Sequence, residues 1–372
     1  MRGMRNHFPL VICASLLLLT WGTPATYAQT AAPAEGAQQF AELGDLKLQG
    51  GSVIQDFRLG YRTLGKLNAQ KSNAILWPSW LGGKSQDLLQ FLGPGKVVDT
   101  SIYFVILVDA IGDGVSTSPS NSKNQPLMKF PTFTIRDMVE AEHRLAIEVL
   151  HLSHLHAVMG ISMGGMQTFE WAITYPEFMD LAIPMAGSPQ STSFDKLLWT
   201  SQIDALELDP AWNHGNPTGP LTRGFGVSDE IGQMALTSPA YRVAHTNPKD
   251  FDGYLAELKK HATEDGGIAA DQIRQRQAII SLDIPGDLES TLAEAAKKVR
   301  AKLLVIVSPQ DHMVNPIPAQ QFAAAIEAPV ITLDSPCGHI SLECISVGPM
   351  VAKFLADPAS VHSETLHDTG NH

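Results

Sequence analysis

The chain has 372 residues, 44% of them hydrophobic, and 38 Asp and Glu outweigh 26 Lys and Arg to give a formal charge of −12. That balance argues against nucleic acid and anionic membrane surfaces as partners, while the apolar fraction is enough for a full core. Length alone leaves open two small domains or one large α/β domain carrying an insertion.

At the N-terminus Arg2 and Arg5 precede an apolar run around Leu16-Leu-Leu-Leu19, and small residues follow as far as Ala28. Charged, apolar and small-residue regions in that order read as a secretory signal peptide over residues 1–28, which implies export to a periplasm or to the outside. The run is shorter than the roughly 20 residues of a membrane span, so an uncleaved anchor is the weaker reading. Residues 29–40 are rich in Ala, Gln and Pro and read as a flexible leader.

Residues 46–64 alternate apolar and polar around Gly50-Gly51 and predict an antiparallel strand pair at a sheet edge. Residues 74–77 and 102–108 are continuous apolar runs, the pattern of strands buried on both faces of a parallel sheet. Helical spacing over residues 133–152 leads to a further apolar run from Leu155, which breaks into Gly160-Ile161-Ser162-Met163-Gly164 and then a helical stretch ending at Tyr175-Pro176. A serine between a strand and a helix, with glycine two residues to either side, sits on a turn sharp enough to expose its hydroxyl above the sheet, and Ser162 is therefore the candidate nucleophile. Residues 182–185 predict the next strand, with Pro184 placing its end there.

The strand–helix alternation stops over residues 188–295, where helical pieces are joined by turns such as Asn216-Pro217 and Ser238-Pro239. This segment reads as a helical cap inserted between core segments 41–187 and 296–356. Its Trp199, Trp212, Tyr241, Phe251 and Tyr254 are expected to pack the insertion's own core, with a substrate tunnel as the alternative. Strands resume at 302–307 and 330–333 with a helix near 319–325 between them; a last helix is expected over 340–355 and a frayed polar tail over 357–372.

A serine hydroxyl needs a base to take its proton, and the base needs an acid to orient it and stabilise its charge. Asp311 follows one late strand and His339 the next, in the order serine, acid, histidine that this topology requires, which favours them over the neighbouring Asp334 and His312. The N–H of Met163, after the nucleophile, and that of Leu81, in Ser79-Trp80-Leu81-Gly82-Gly83, are the candidate oxyanion donors. His151, His154 and His156 read as a helix end, with no carboxylate spaced to complete a metal site. Cys337 and Cys344 are expected to stay unpaired, one lying in the histidine loop and the other in the following helix; neither suggests zinc.

Residues 57–68, Ile135-Arg-Asp-Met-Val139, Gly160-Ile-Ser-Met-Gly-Gly-Met-Gln167, Glu170-Trp-Ala172 and Asp334-Ser-Pro-Cys-Gly-His339 together resemble the homoserine O-acetyltransferase family of α/β hydrolases. The resemblance implies the α/β-hydrolase fold, a mostly parallel sheet flanked by helices with a helical cap, and it assigns nucleophile, acid and base to Ser162, Asp311 and His339. The segment Gly112-Asp-Gly-Val-Ser-Thr-Ser-Pro-Ser-Asn121 departs from the acetyltransferase pattern towards the hydrolase-like members, and the loop around Leu81 departs as well. The leading expectation is a secreted hydrolase of a small-molecule carboxylic ester, working without a cofactor or metal. An O-acyltransferase and a non-catalytic binding protein on the same fold are the alternatives, and a homodimer is compatible with the sequence.

Overall fold

The computed structural model describes residues 34–264 and 269–368; the signal-peptide reading of residues 1–28 and the first part of the expected leader lie outside them. The described chain opens with an antiparallel pair, β1 (Gln39–Lys47) and β2 (Val53–Leu64), and β1 takes in the last two residues of the expected leader. There follow β3 (Ala74–Pro78), β4 (Phe104–Val108), α1 (Ile135–Arg144), β5 (Leu155–Ile161), α2 (Met163–Thr174) and β6 (Met179–Met185). Among the described residues helices then follow one another without a strand: α3 (Ser193–Glu207), α4 (Thr222–Leu236), α5 (Pro239–His245), α6 (Phe251–Glu264), α7 (Ala269–Ser281), α8 (Ile284–Asp287) and α9 (Leu292–Ala296). The core resumes with β7 (Lys302–Leu303), β8 (Val305–Val307), α10 (Ile317–Ala325), β9 (Val330–Asp334), α11 (Ser341–Cys344), α12 (Gly348–Ala356) and β10 (Glu364–His367).

Among the described residues the strands form one sheet in the order β1-β2-β4-β3-β5-β6-β8-β9-β10, with β7 also on β6. β1, β2 and β4 pair antiparallel in turn, and the other pairs are parallel. The apolar runs are explained by burial on both faces. In β3, Ala74 and Leu76 enter one apolar cluster while Ile75 and Trp77 enter the other; in β8, Val305 and Val307 face the first and Ile306 the second. Pro184 is the penultimate residue of β6, where its missing N–H costs the sheet little.

Three expectations need correction. The tail does not fray directly after Asp357, because β10 adds to β9 in parallel register. Its side chains are mostly exposed, so the backbone alone makes the strand and no apolar pattern marks it. The final helix is broken between Cys344 and Gly348, where its two pieces meet at 81°. Before that break, the positive-φ Gly338 and the 3₁₀ turn Gly338–Ile340 lead from Cys337 into α11, the Cα atoms of Cys337 and Cys344 lie 6.6 Å apart, and the two cysteines form a disulfide.

The cap aromatics divide. Trp212 packs with Ile203, Leu206, Leu221 and Phe225 in a small core belonging to the cap. Trp199 joins the main core cluster, and Phe251 and Tyr254 line a cavity of about 700 Å³ between α4, α5 and α6. Tyr241 stacks on His245.

Candidate active site

β5 delivers the chain into a turn that only certain residues tolerate. A Cβ on Gly160 would stand 2.2 Å from the carbonyl oxygen of Gly164, and one on Gly164 would stand 2.6 Å from that of Pro78. The two glycines therefore let α2 start immediately after the strand and pack against the end of β3. Between them Ser162 is held at φ 59°, ψ −121°, a conformation that costs a non-glycine residue on the order of 1–3 kcal/mol. The turn is pinned from both sides, since the Ser162 N–H donates to the Met185 carbonyl at 2.9 Å and the Met166 N–H to the Ser162 carbonyl at 3.0 Å.

Three strand ends converge on this serine. Asp311 follows β8, and its Oδ1 accepts the N–H groups of Met313 and Val314, both at 2.9 Å, which fixes the carboxylate in its own loop. Its Oδ2 lies 2.7 Å from Nδ1 of His339, the residue after the positive-φ Gly338 that follows β9. His339 Nε2 lies 2.9 Å from Ser162 Oγ. The Asp311 side chain is 1% exposed and that of His339 9%, so this hydrogen-bonded chain is nearly dry. With Nδ1–H donated to the carboxylate, Nε2 is left as the acceptor for the serine hydroxyl. The rivals stand elsewhere: Asp334 is exposed and pairs with His367 at 2.9 Å, and the His312 ring packs edge-on near Phe194.

Of the two candidate oxyanion donors, Leu81 lines the space at Ser162 and Met163 follows the serine directly in the chain. Met163 opens α2, where a first-turn N–H has no intrahelical carbonyl to take it. Leu81 lines a cavity of about 260 Å³ with Ser162 and His339, closed by Trp80, Phe91, Trp199, Leu236 and Met313 among others. The Leu81 loop is gripped by two glutamines that sequence reasoning did not single out. Gln167 on α2 donates to the Ser79 carbonyl at 3.2 Å. Gln275 on α7, fully buried, accepts the Gly82 N–H at 2.9 Å and donates to the Ile111 carbonyl at 3.0 Å. Gly82 thus spends its N–H on Gln275 and is not available to a carbonyl oxygen. Gln167 was visible inside the serine motif, whereas Gln275 is one of several polar residues in a cap helix 193 positions from its partner.

The segment Gly112 to Asn121 contributes no residue to the lining of the Ser162 cavity. It closes on itself, Asp113 Oδ1 accepting the N–H groups of Val115 and Ser116, and it ties to the cap through Ser120, which donates N–H and O–H to Asp271. Burial, reinforced by the nearby Asp109, pushes the Asp113 carboxyl well above its ordinary range, and burial pushes Asp271 up to about 6. The carboxylate that spacing did not reveal near the histidine cluster is Asp180, 2.9 Å from His154, at the opposite end of β5 and β6 from Ser162.

Comparison with known proteins adds the following. Residues 87–343 match the family model described as alpha/beta hydrolase fold. A probable esterase of Corynebacterium glutamicum is 38% identical over 187 residues, half of this chain and 54% of that protein, so the match spans about half that relative's length. A homoserine O-acetyltransferase of Geotalea uraniireducens is 31% identical over 350 residues, 84% of this chain and 94% of that one. The crystal structure of an acetylester hydrolase from Corynebacterium glutamicum superposes with a TM-score of 0.77 at 27% identity, covering 86% of this chain and 95% of the other.

Proposed function

The chain belongs to the α/β-hydrolase family, on its homoserine O-acetyltransferase-like branch, and from this premise we propose that it is a serine-dependent hydrolase of short-acyl carboxylic esters. The observation that carries the reading is the chain of contacts from Asp311 through His339 to Ser162, at 2.7 and 2.9 Å. Ser162 Oγ attacks the ester carbonyl while His339 Nε2 takes its proton, and Asp311 stabilises the resulting imidazolium. The N–H groups of Leu81 and Met163 hold the oxyanion, His339 returns the proton to the departing alcohol, and water then repeats the sequence on the acyl-enzyme.

The size of the Ser162 cavity, about 260 Å³, suits a small acyl group, in keeping with the esterase and the acetylester hydrolase to which the chain is similar. Export follows from the signal-like residues 1–28, and the Cys337–Cys344 disulfide fits an oxidising compartment. An exported enzyme works where acyl-CoA is not at hand, which leaves water as the acceptor. The second reading is acyl transfer to an alcohol through the same acyl-enzyme, favoured by the likeness to the homoserine O-acetyltransferase.

A fluorophosphonate probe separates enzyme from scaffold: it is expected to label one residue, and Ser162→Ala to abolish labelling. Assays on ethyl acetate, and on acetyl-CoA with homoserine, then separate the two acceptors. Efficient homoserine acetylation with negligible ester hydrolysis would reverse the order of the two readings.

A further inference from the structure

The space beside Ser162 adjoins a second cavity of about 640 Å³, and the two share Gln90, Phe91, Ile161, Leu342 and Glu343 as lining. The floor of the second is Trp77, Ile161 and Met185, at the carboxyl ends of β3, β5 and β6, the edge of a parallel sheet at which ligands bind. It stands open because two covers fail over the same strands. After β3 the chain makes one short 3₁₀ turn, Asp87–Phe91, and Gly93-Pro94-Gly95 then prevents a longer helix. Opposite, the helical chain breaks between α11 and α12, and the Cys337–Cys344 bond holds the end of α11 back towards the His339 loop.

We propose that this second cavity binds the alcohol portion of the ester, so that the substrate is a short-acyl ester of an alcohol carrying an extended alkyl or aryl group. The assignment rests on the ester-hydrolase reading above. When the Ser162 Oγ–carbon bond forms and the bond to the alcohol oxygen breaks, that oxygen takes the proton held on His339 Nε2, so the alcohol must lie on the histidine side of the serine. Leu342 and Glu343, which come soon after His339 in the chain, line both cavities, so the second opens off the Ser162 space beside the histidine loop. The acyl group is left with the smaller space, closed off by Trp199, Leu236 and Met313. The floor is apolar, as are Phe91, Val97, Leu342 and Val347 on the walls, and the charged side chains lining the cavity, Lys96 and Glu343, are exposed and of opposite sign, a lining that suits a neutral, largely apolar group.

Two ester series that share ethyl acetate test this. One lengthens the alcohol from ethyl to octyl acetate; the other lengthens the acid from ethyl acetate to ethyl octanoate. With the purified protein, kcat/KM is expected to climb along the alcohol series by up to about fourfold per methylene, the limit set by burying a CH₂ group, and to fall along the acid series. Ser346→Trp, at an exposed position on the cavity wall, is expected to cut the octyl-to-ethyl acetate ratio by about tenfold or more and leave ethyl acetate within about twofold. Lys96→Trp fills the cavity from the facing segment and should act alike. A climb in the acid series that Ser346→Trp flattens would assign the cavity to the acyl chain and overturn the proposal, as would unchanged profiles in both variants. Failure of the wild-type protein on ethyl acetate and every longer ester would instead overturn the ester-hydrolase reading, and this one with it.

Discussion

The cavity in the cap and the one beside Ser162 differ in a way that volume misjudges. The cap cavity is the larger, about 700 against 260 Å³, and its wall carries Arg242 stacked over the Tyr254 ring with its guanidinium centre 4.3 Å from the ring centre. Yet its central polar groups are spent on one another, Arg242 and Tyr254 both donating to Gln233. At Ser162 a strained backbone and a dry histidine–carboxylate pair meet at one small space. Convergence of unspent hydrogen-bonding capacity, rather than empty volume, distinguishes a place that can do chemistry from a gap between helices.

Variants in the two regions should therefore differ by orders of magnitude. The largest effect after removal of the serine itself is expected for Asp311→Asn, which keeps the shape of the loop but disfavours the required histidine tautomer. Turnover of ethyl acetate should fall by about 10⁴, as in a related triad, with the far-ultraviolet circular dichroism spectrum unchanged. Should Asp334→Asn produce that loss and Asp311→Asn not, the acid has been misassigned.

A smaller but sizeable loss is expected for Gln275→Leu, which keeps side-chain bulk but can neither accept the Gly82 N–H nor donate to Ile111. Letting the Leu81 loop shift weakens an oxyanion contact, and kcat should drop by roughly 10- to 100-fold with KM nearly constant. Gln275→Glu keeps an acceptor for Gly82 and should recover part of the loss. A rise in KM at unchanged kcat would instead mean that the glutamine serves ground-state binding.

The smallest effect belongs to the cap cavity. Met234→Lys places a charge at an exposed position on its wall and should leave ethyl acetate turnover within about twofold, surface changes of this kind being nearly neutral. A collapse of activity in that variant would show that substrate passes through the cap and would erase the contrast between the two cavities.

The same contrast separates what the sequence made legible from what it did not. Strands buried on both faces announce themselves as apolar runs, and the chemistry hangs on their ends, so Ser162, Asp311 and His339 could be placed from chain order and strand position. β10 could not, because an exposed edge strand is held by backbone hydrogen bonds and leaves no side-chain pattern in Glu364-Thr-Leu-His367. The disulfide was missed for a related reason: Cys337 reads as loop and Cys344 as helix, and no side-chain pattern announces the positive-φ Gly338 and the 3₁₀ turn that lie between them. Gln275 was out of reach because its importance lies in two backbone groups far away in sequence, and one glutamine in Asp271-Gln-Ile-Arg-Gln-Arg-Gln277 looks like the next.

The central claim, that Ser162 carries the acyl group and water removes it, is tested most directly by trapping the intermediate. Purified protein mixed with p-nitrophenyl acetate, quenched in acid within the first turnovers, digested and read by mass spectrometry should carry acetyl on the peptide containing Ser162 and nowhere else in stoichiometric amount. The label should vanish in Ser162→Ala and decay in water without any added alcohol. Acetyl found on another residue at full turnover, or an acetyl-Ser162 that persists until an alcohol acceptor is supplied, would contradict the account.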